Sequence, residues 1–228
     1  MIFKQFFDDV SCTYTYLLSS GKGREALIID PVLEKTGEYI SFLKKLDLKL
    51  VKVIDTHIHA DHISGMKELH KQTDCASVMG EKSQSEVVNI KIKDNEKIKI
   101  ENIELTSMYT PGHTDCSYSF LMKDRIFTGD TLLIGGTGRT DFQNGNPIDQ
   151  YHSLFDRILT LPEKTFVYPA HDYKGKKVST IGQQKLTNPR LQVKSISEYV
   201  ELMNGLNLPN PKMMDIAVLA NIKGKTLG

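Results

Sequence analysis

The chain has no tryptophan and only three cysteines among 228 residues. Cys12, Cys75 and Cys116 form no CxxC pair and leave an odd count, so a disulfide framework is not expected and a reducing compartment fits better. No run approaches the ~20 apolar residues that a membrane helix requires. The first nine residues, Met1 to Asp9, lack a long apolar stretch and carry acids early, which argues against a secretory signal or a transit peptide. Neither sign of charge dominates: 29 Lys and Arg against 28 Asp and Glu give a formal net charge of +1. Nucleic acid and acidic membrane surfaces are therefore not the expected partners. Internal repeats, low-complexity tracts and linkers are missing as well. A cytoplasmic protein forming one domain over residues 1–228 is the expectation, with 175–228 as a C-terminal extension packed on it.

What the chain does have is a dense group of metal-type donors. Thr56-His57-Ile58-His59-Ala60-Asp61-His62 places three imidazoles and a carboxylate within six residues. The apolar run Leu50 to Ile54 before it reads as a buried strand, and Ile63 to His70 after it has apolar residues at helical spacing. The donors thus fall at a strand-to-helix turn. Imidazole and carboxylate together suit a first-row transition metal such as zinc or iron.

The same arrangement recurs along the chain. Cys12–Leu18 and Ala26–Pro31 read as a hairpin, and Gly37–Leu46 as a helix. Cys75–Met79 is a short strand. Residues Ile90 to Ile103 alternate apolar with charged, the period of a strand with one face in water, and Ile103–Tyr109 continues as a strand. Ser117–Met122 and Arg125–Phe127 form a strand pair, Ile148–Leu161 a helix, Thr165–Tyr168 a strand and Ile196–Leu206 a helix. Three of these strands run into a further donor: His113 in Thr110-Pro111-Gly112-His113, Asp130 in Thr128-Gly129-Asp130, and His171 in Pro169-Ala170-His171. Donors at strand ends can meet on one edge of a sheet. His70 and His152 fall within expected helices and read as ordinary surface or core residues. The class is α/β or α+β.

In this order, His57-Ile58-His59-Ala60-Asp61-His62, His113, Asp130 and His171 resemble the metallo-β-lactamase superfamily. The resemblance implies an αββα sandwich with a metal cleft at one edge of two packed sheets. Ser11–Leu17, Ile29–Val32, Gly129–Ile134, Gly138–Gln143, Tyr168–Tyr173, Thr187–Arg190 and Leu206–Pro209 narrow the likeness to the persulfide dioxygenases, nearly end to end. That resemblance implies a non-haem iron enzyme, usually a homodimer, that oxidises glutathione persulfide with O2 to sulfite and glutathione.

Carried onto this chain, the resemblance makes His57, His113 and Asp130 the ligands of one Fe(2+) per chain. His59, Asp61, His62 and His171 would then hydrogen-bond to ligands or to one another. A dinuclear hydrolase of the glyoxalase II type would instead use all seven, with Asp130 bridging. The residue types alone leave that alternative open, and a noncatalytic metal- or glutathione-binding sensor is a further one. Arg139 is the first candidate for a substrate carboxylate, or else an ion-pair partner of Asp141 or Asp172. Tyr173 is expected near the metal and Lys223 against the glutathione backbone. The mitochondrial member of the family has a cysteine where this chain has Gly224.

Overall fold

The fold is described from a computed structural model covering residues 1–210 and 213–224. Residues 211–212 and 225–228 of the expected C-terminal extension lie outside the described residues. Among the described residues, twelve strands form two six-stranded sheets. The first holds β1 (Ile2–Asp8), β2 (Thr13–Ser19), β3 (Glu25–Ile29), β4 (Lys49–Ile54), β5 (Ala76–Gly80) and β6 (Ile90–Ile92), in that order. The second holds β7 (Lys97–Ile100), β8 (Ile103–Tyr109), β9 (Tyr118–Leu121), β10 (Arg125–Gly129), β11 (Phe166–Pro169) and β12 (Ser179–Thr180), again in chain order across the sheet. The β2–β3 hairpin is antiparallel, whereas β3, β4, β5 and β6 pair in parallel. In the second sheet only β10 and β11 are parallel.

The period-2 pattern explains the layering. Tyr14, Tyr16 and Leu18 on β2, with Leu27 and Ile29 on β3, meet Ile98, Leu105, Phe120 and Phe127 of the second sheet. Leu17 and Ile28 point the other way, toward Tyr39 and Leu43 of α1 (Thr36–Lys45) and Met66 and Leu69 of α2 (Met66–Thr73). Beneath the second sheet, Ile126 and Val167 pack on Leu154, Ile158, Ile181 and Tyr199. Those residues come from α3 (Pro147–His152) with its continuation, α4 (Ile181–Thr187) and α5 (Ile196–Asn204). Because both faces of β2 are covered, all seven of its residues are buried. Each fully buried Leu, Ile or Phe contributes about 1.5–3 kcal/mol, and these side chains fill all three interlayer spaces.

The expected αββα sandwich is what forms, with local differences. The alternating stretch Ile90 to Ile103 is two strands in different sheets. Asn95 turns the chain at φ +60°, and Asp94 Oδ1 receives the Tyr109 N–H and an Arg157 N–H across that turn. The helix expected over Ile148–Leu161 is α-helical only to His152. It continues as a π turn, Ser153–Arg157, and a 3-10 turn, Ile158–Thr160. Ser153 Oγ donates to Pro111 O and Arg157 to Tyr109 O, tying this irregular segment to the end of β8. Strands β1 and β12 and helices α4 and α6 (Met214–Lys223) have no counterpart in the sequence reading. Among the described residues, no helix is long and apolar enough to cross a membrane.

Candidate metal centre

Every donor group follows the C-terminal end of a strand. Strand β4 delivers His57 to His62, β8 leads to His113, β10 to Asp130 and β11 to His171. They converge at one end of the sandwich, in a cleft of about 570 Å³ lined by Asp61, His113, Asp130, His171, Arg139 and Tyr173 among others.

One donor atom each from His57, His113 and Asp130 lies within 4.8 Å of the other two. The hydrogen bonds fix the two imidazoles for that purpose. Asp30 accepts the Thr56 N–H at 2.7 Å and the Thr56 hydroxyl at 3.1 Å. With its only proton committed there, the Thr56 oxygen can only accept from His57 Nδ1–H, at 2.9 Å. His113 Nδ1–H donates to the Arg139 carbonyl at 2.7 Å. Both Nε2 lone pairs are thereby left free, and His113 Nε2 stands 3.6 Å from Asp130 Oδ2. Two acceptors facing each other at that spacing suit an ion between them, so the donor set fits a divalent first-row metal.

A second set, His59, Asp61 and His62, also has donor atoms within 4.8 Å of one another. It is built differently. His171 lies between two carboxylates, with Nδ1 2.7 Å from Asp130 Oδ1 and Nε2 2.8 Å from Asp61 Oδ2. Asp61 Oδ2 also accepts from His62 Nδ1–H at 2.9 Å. His59 Nε2–H donates to Asp30 Oδ1 at 3.2 Å. Buried His59 Nδ1 and His62 Nε2 have no hydrogen-bond partner among the described residues.

Charge follows these contacts. Burial resists a proton on His171, but Asp130 and Asp61 outweigh it and hold its pKa well above the usual imidazole range. Burial likewise opposes charge on Asp130, and His171, His113 and His57 overcome it, driving that carboxyl far down. The same balance lowers Asp61 through His171 and His62. Burial, reinforced by His59 and His113, keeps His57 well below the usual range, and burial also lowers His62 against the pull of Asp61. For His59 burial is outweighed by Asp30, which lifts it to about 9.

The remaining expected residues separate. Tyr173 lines the cleft, 69% exposed, its ring stacked on that of His171 at 6.1 Å. Arg139 also lines it, and pairs bidentately with Asp141 at 2.6 and 2.7 Å while its guanidinium covers the Phe142 ring. Lys223 does not line the cleft, contrary to expectation. Helix α6 carries it away, and its neighbours Asn221 and Gly224 line a separate cavity of about 130 Å³. His70 binds the Cys75 carbonyl and His152 pairs with Asp156 on the surface, both outside the cleft as read from the sequence.

Sequence reading missed the groups that hold the donors: Asp30, Thr56, Gln150 and Asn221. Asp30 sits at φ +51°, at the end of β3. Buried Gln150 donates to Gly138 O and accepts from Tyr199, which fixes the loop behind His113. Gly138 allows no side chain, since a Cβ would stand 2.7 Å from the His113 ring and 2.3 Å from Asp130 O. Lys174 and Arg190, both lining the cleft, were missed too.

A family model for the metallo-beta-lactamase superfamily matches residues 9–171. The human persulfide dioxygenase ETHE1, mitochondrial, is 42% identical over 226 residues, covering 98% of this chain and 88% of the relative. The chain belongs to the persulfide dioxygenase family of the metallo-beta-lactamase superfamily. A solved structure of a persulfide dioxygenase homologue, ETHE1 from Myxococcus xanthus, superposes with a TM-score of 0.94 at 45% identity, covering 97% of this chain and 98% of that one. A hydroxyacylglutathione hydrolase of Dictyostelium discoideum is 30% identical over 87% of this chain and 90% of its own length. Kinship to persulfide dioxygenases thus extends further along the chain, and at higher identity, than kinship to that hydrolase.

Proposed function

We propose that this chain is a persulfide dioxygenase that takes glutathione persulfide, O2 and water to sulfite, glutathione and two protons, using one Fe(2+) held by His57, His113 and Asp130. Its full-length likeness to persulfide dioxygenases supports the reaction. The observation that carries the one-metal reading is the state of His171: both ring nitrogens are taken by Asp130 and Asp61. While it keeps those two partners the ring has no nitrogen to spare for an ion, and Asp130 Oδ2 remains as the free oxygen beside His113.

His57, His113 and Asp130 would hold the iron, which would supply redox chemistry toward dioxygen and the persulfide sulfur. The chain's own residues do the rest. Asp30 and Thr56 orient His57, and the Arg139 carbonyl orients His113. His171 holds a proton between the two carboxylates, and the Tyr173 ring covers one of its faces. A glutathione moiety brings two carboxylates. Arg139, Lys174 and Arg190 line the same cleft and supply cations for them. Arg139 is held for that task by Asp141 and by the Leu208 and Pro209 carbonyls. The rest of the reading is a homodimer in the cytoplasm, although the mammalian relatives are named mitochondrial. Sedimentation and cell fractionation check both points.

Oxygen uptake with glutathione persulfide, alongside hydrolysis of S-lactoylglutathione, tests the proposal. We expect uptake with about one iron per chain. Thioester turnover with about two metals and no oxygen uptake would reverse it in favour of the hydrolase, the second reading that the complete seven-donor set supports.

A further inference from the structure

Helix α6 lies beyond residues 9–171, the span that the superfamily model matches, yet it reaches back to the donor-rich loop. Asn221 Nδ2 donates to the His59 carbonyl at 2.9 Å and to the His62 carbonyl at 3.0 Å. Its Oδ1 accepts the Ser64 N–H at 2.8 Å. One side chain thus serves three backbone groups of the segment between β4 and α2. That segment belongs to neither strand nor helix, so its buried polar groups need partners from elsewhere. A primary amide is the one neutral side-chain group that offers two donors and an acceptor together.

The helix is anchored well enough to act as a support. Ala217 and Ala220 are buried, and Val218 and Ile222 pack against the core under the first sheet. The Asn221 carbonyl accepts from Ser85 Oγ at 2.9 Å and the Ile222 carbonyl from Glu86 N–H at 2.7 Å.

We propose that Asn221 is a positioning residue of the metal centre: the C-terminal helix is a clasp that fixes the His59–Ser64 backbone, the continuation of the turn that carries the ligand His57. This rests on the metal reading above. Loss of a group that orients a ligand costs typically 10–100-fold in metal affinity, which sets the expected size.

The test uses the full chain, stripped of metal and titrated with Co2+ and Fe2+ against a chelator. N221→Ala and N221→Asp are compared with V218→Ala, which trims the packing of the same helix without touching the loop. N221→Asp keeps the shape and the Oδ1 acceptor but loses both donors. We expect both Asn221 variants to bind metal roughly 10–100-fold more weakly and their Ile58–Ser64 amides to exchange faster. The iron-loaded fraction should retain its KM for glutathione persulfide. V218→Ala should lower the melting temperature with metal affinity intact. Wild-type affinity in N221→Ala would overturn the clasp, as would an equal loss of affinity in V218→Ala. A wild-type chain that binds neither ion would overturn the metal reading and the clasp with it, and that failure is recognisable because it appears before any substitution.

Discussion

Two sets of imidazoles meet at one end of the sandwich and are wired differently. His57 and His113 each spend one nitrogen on an uncharged oxygen, Thr56 Oγ1 and Arg139 O, and keep the other free beside Asp130. His171 spends both nitrogens on carboxylates, while His59 and His62 each spend one on a carboxylate. Neutral, half-committed rings are prepared to bind a cation. A ring held between two anions already supplies the positive charge itself. The difference teaches that hydrogen bonding, as well as residue type, governs which donors keep a free lone pair.

The largest expected effect comes from the free set. D130A removes the oxygen facing His113 and the partner of His171, so iron analysis should find none retained and oxygen uptake should fall to background. Normal iron content would dissolve the contrast between the sets. Next is His171, whose two nitrogens are both committed. H171N leaves Asp61 and Asp130, 21% and 12% exposed, as partly solvated anions without their shared cation, so the loss falls below the roughly 3–5 kcal/mol of a fully buried pair. Denaturant unfolding of the metal-free chain should show a loss of stability within that limit. A gain would mean that His171 is a strained ligand instead.

Proton linkage separates the sets a third way. His57 and His62 are held low, so stability falls as pH drops below their unfolded value of about 6.5 and the unfolded chain takes up more protons. His59 and His171 are held high. Their contribution is complete below about 6.5 and is lost as pH rises toward their folded values, about 9 for His59. The melting temperature of the metal-free chain should therefore peak near neutrality and decline on both sides. A monotonic profile between pH 5 and 9 would contradict these assignments. R139K keeps the charge but loses the bidentate fork that grips Asp141, and we expect KM for glutathione persulfide to rise about tenfold with kcat little changed. The smallest effect should come from H62Q: about one iron per chain, as in the wild type. A dinuclear centre would instead drop from two metals to one.

Much of the architecture was readable because strands with one dominant face announce themselves. Leu50–Ile54, Ile103–Tyr109 and Arg125–Phe127 each predict a strand, and each leads to a donor. Strand β1 escapes the period-2 reading because Ile2-Phe3, Lys4-Gln5 and Phe6-Phe7 fall in like pairs. Helix α6 escaped for a different reason. Ile216, Ala217, Val218, Leu219, Ala220 and Ile222 spread apolar character around the helix, so no 3.6-residue stripe stands out. At the site, histidines cluster visibly in sequence, whereas their supports do not. Asn221 lies 162 residues from His59 and Gln150 lies 12 from Gly138, and a lone amide carries no signature until the fold brings it to its carbonyl. Lys223, expected against the glutathione backbone, is not among the residues lining the cleft, and its neighbours Asn221 and Gly224 line another cavity.

Each sheet is written by one half of the chain: strands β1 to β6 build one and β7 to β12 the other. His57 belongs to the first half, His113 and Asp130 to the second. A cation shared by these three is therefore a cross-link between two separately encoded slabs, joining positions 73 residues apart in sequence at its widest. Its capture should tighten the seam, and its removal should let the halves breathe along that edge before either slab frays within itself.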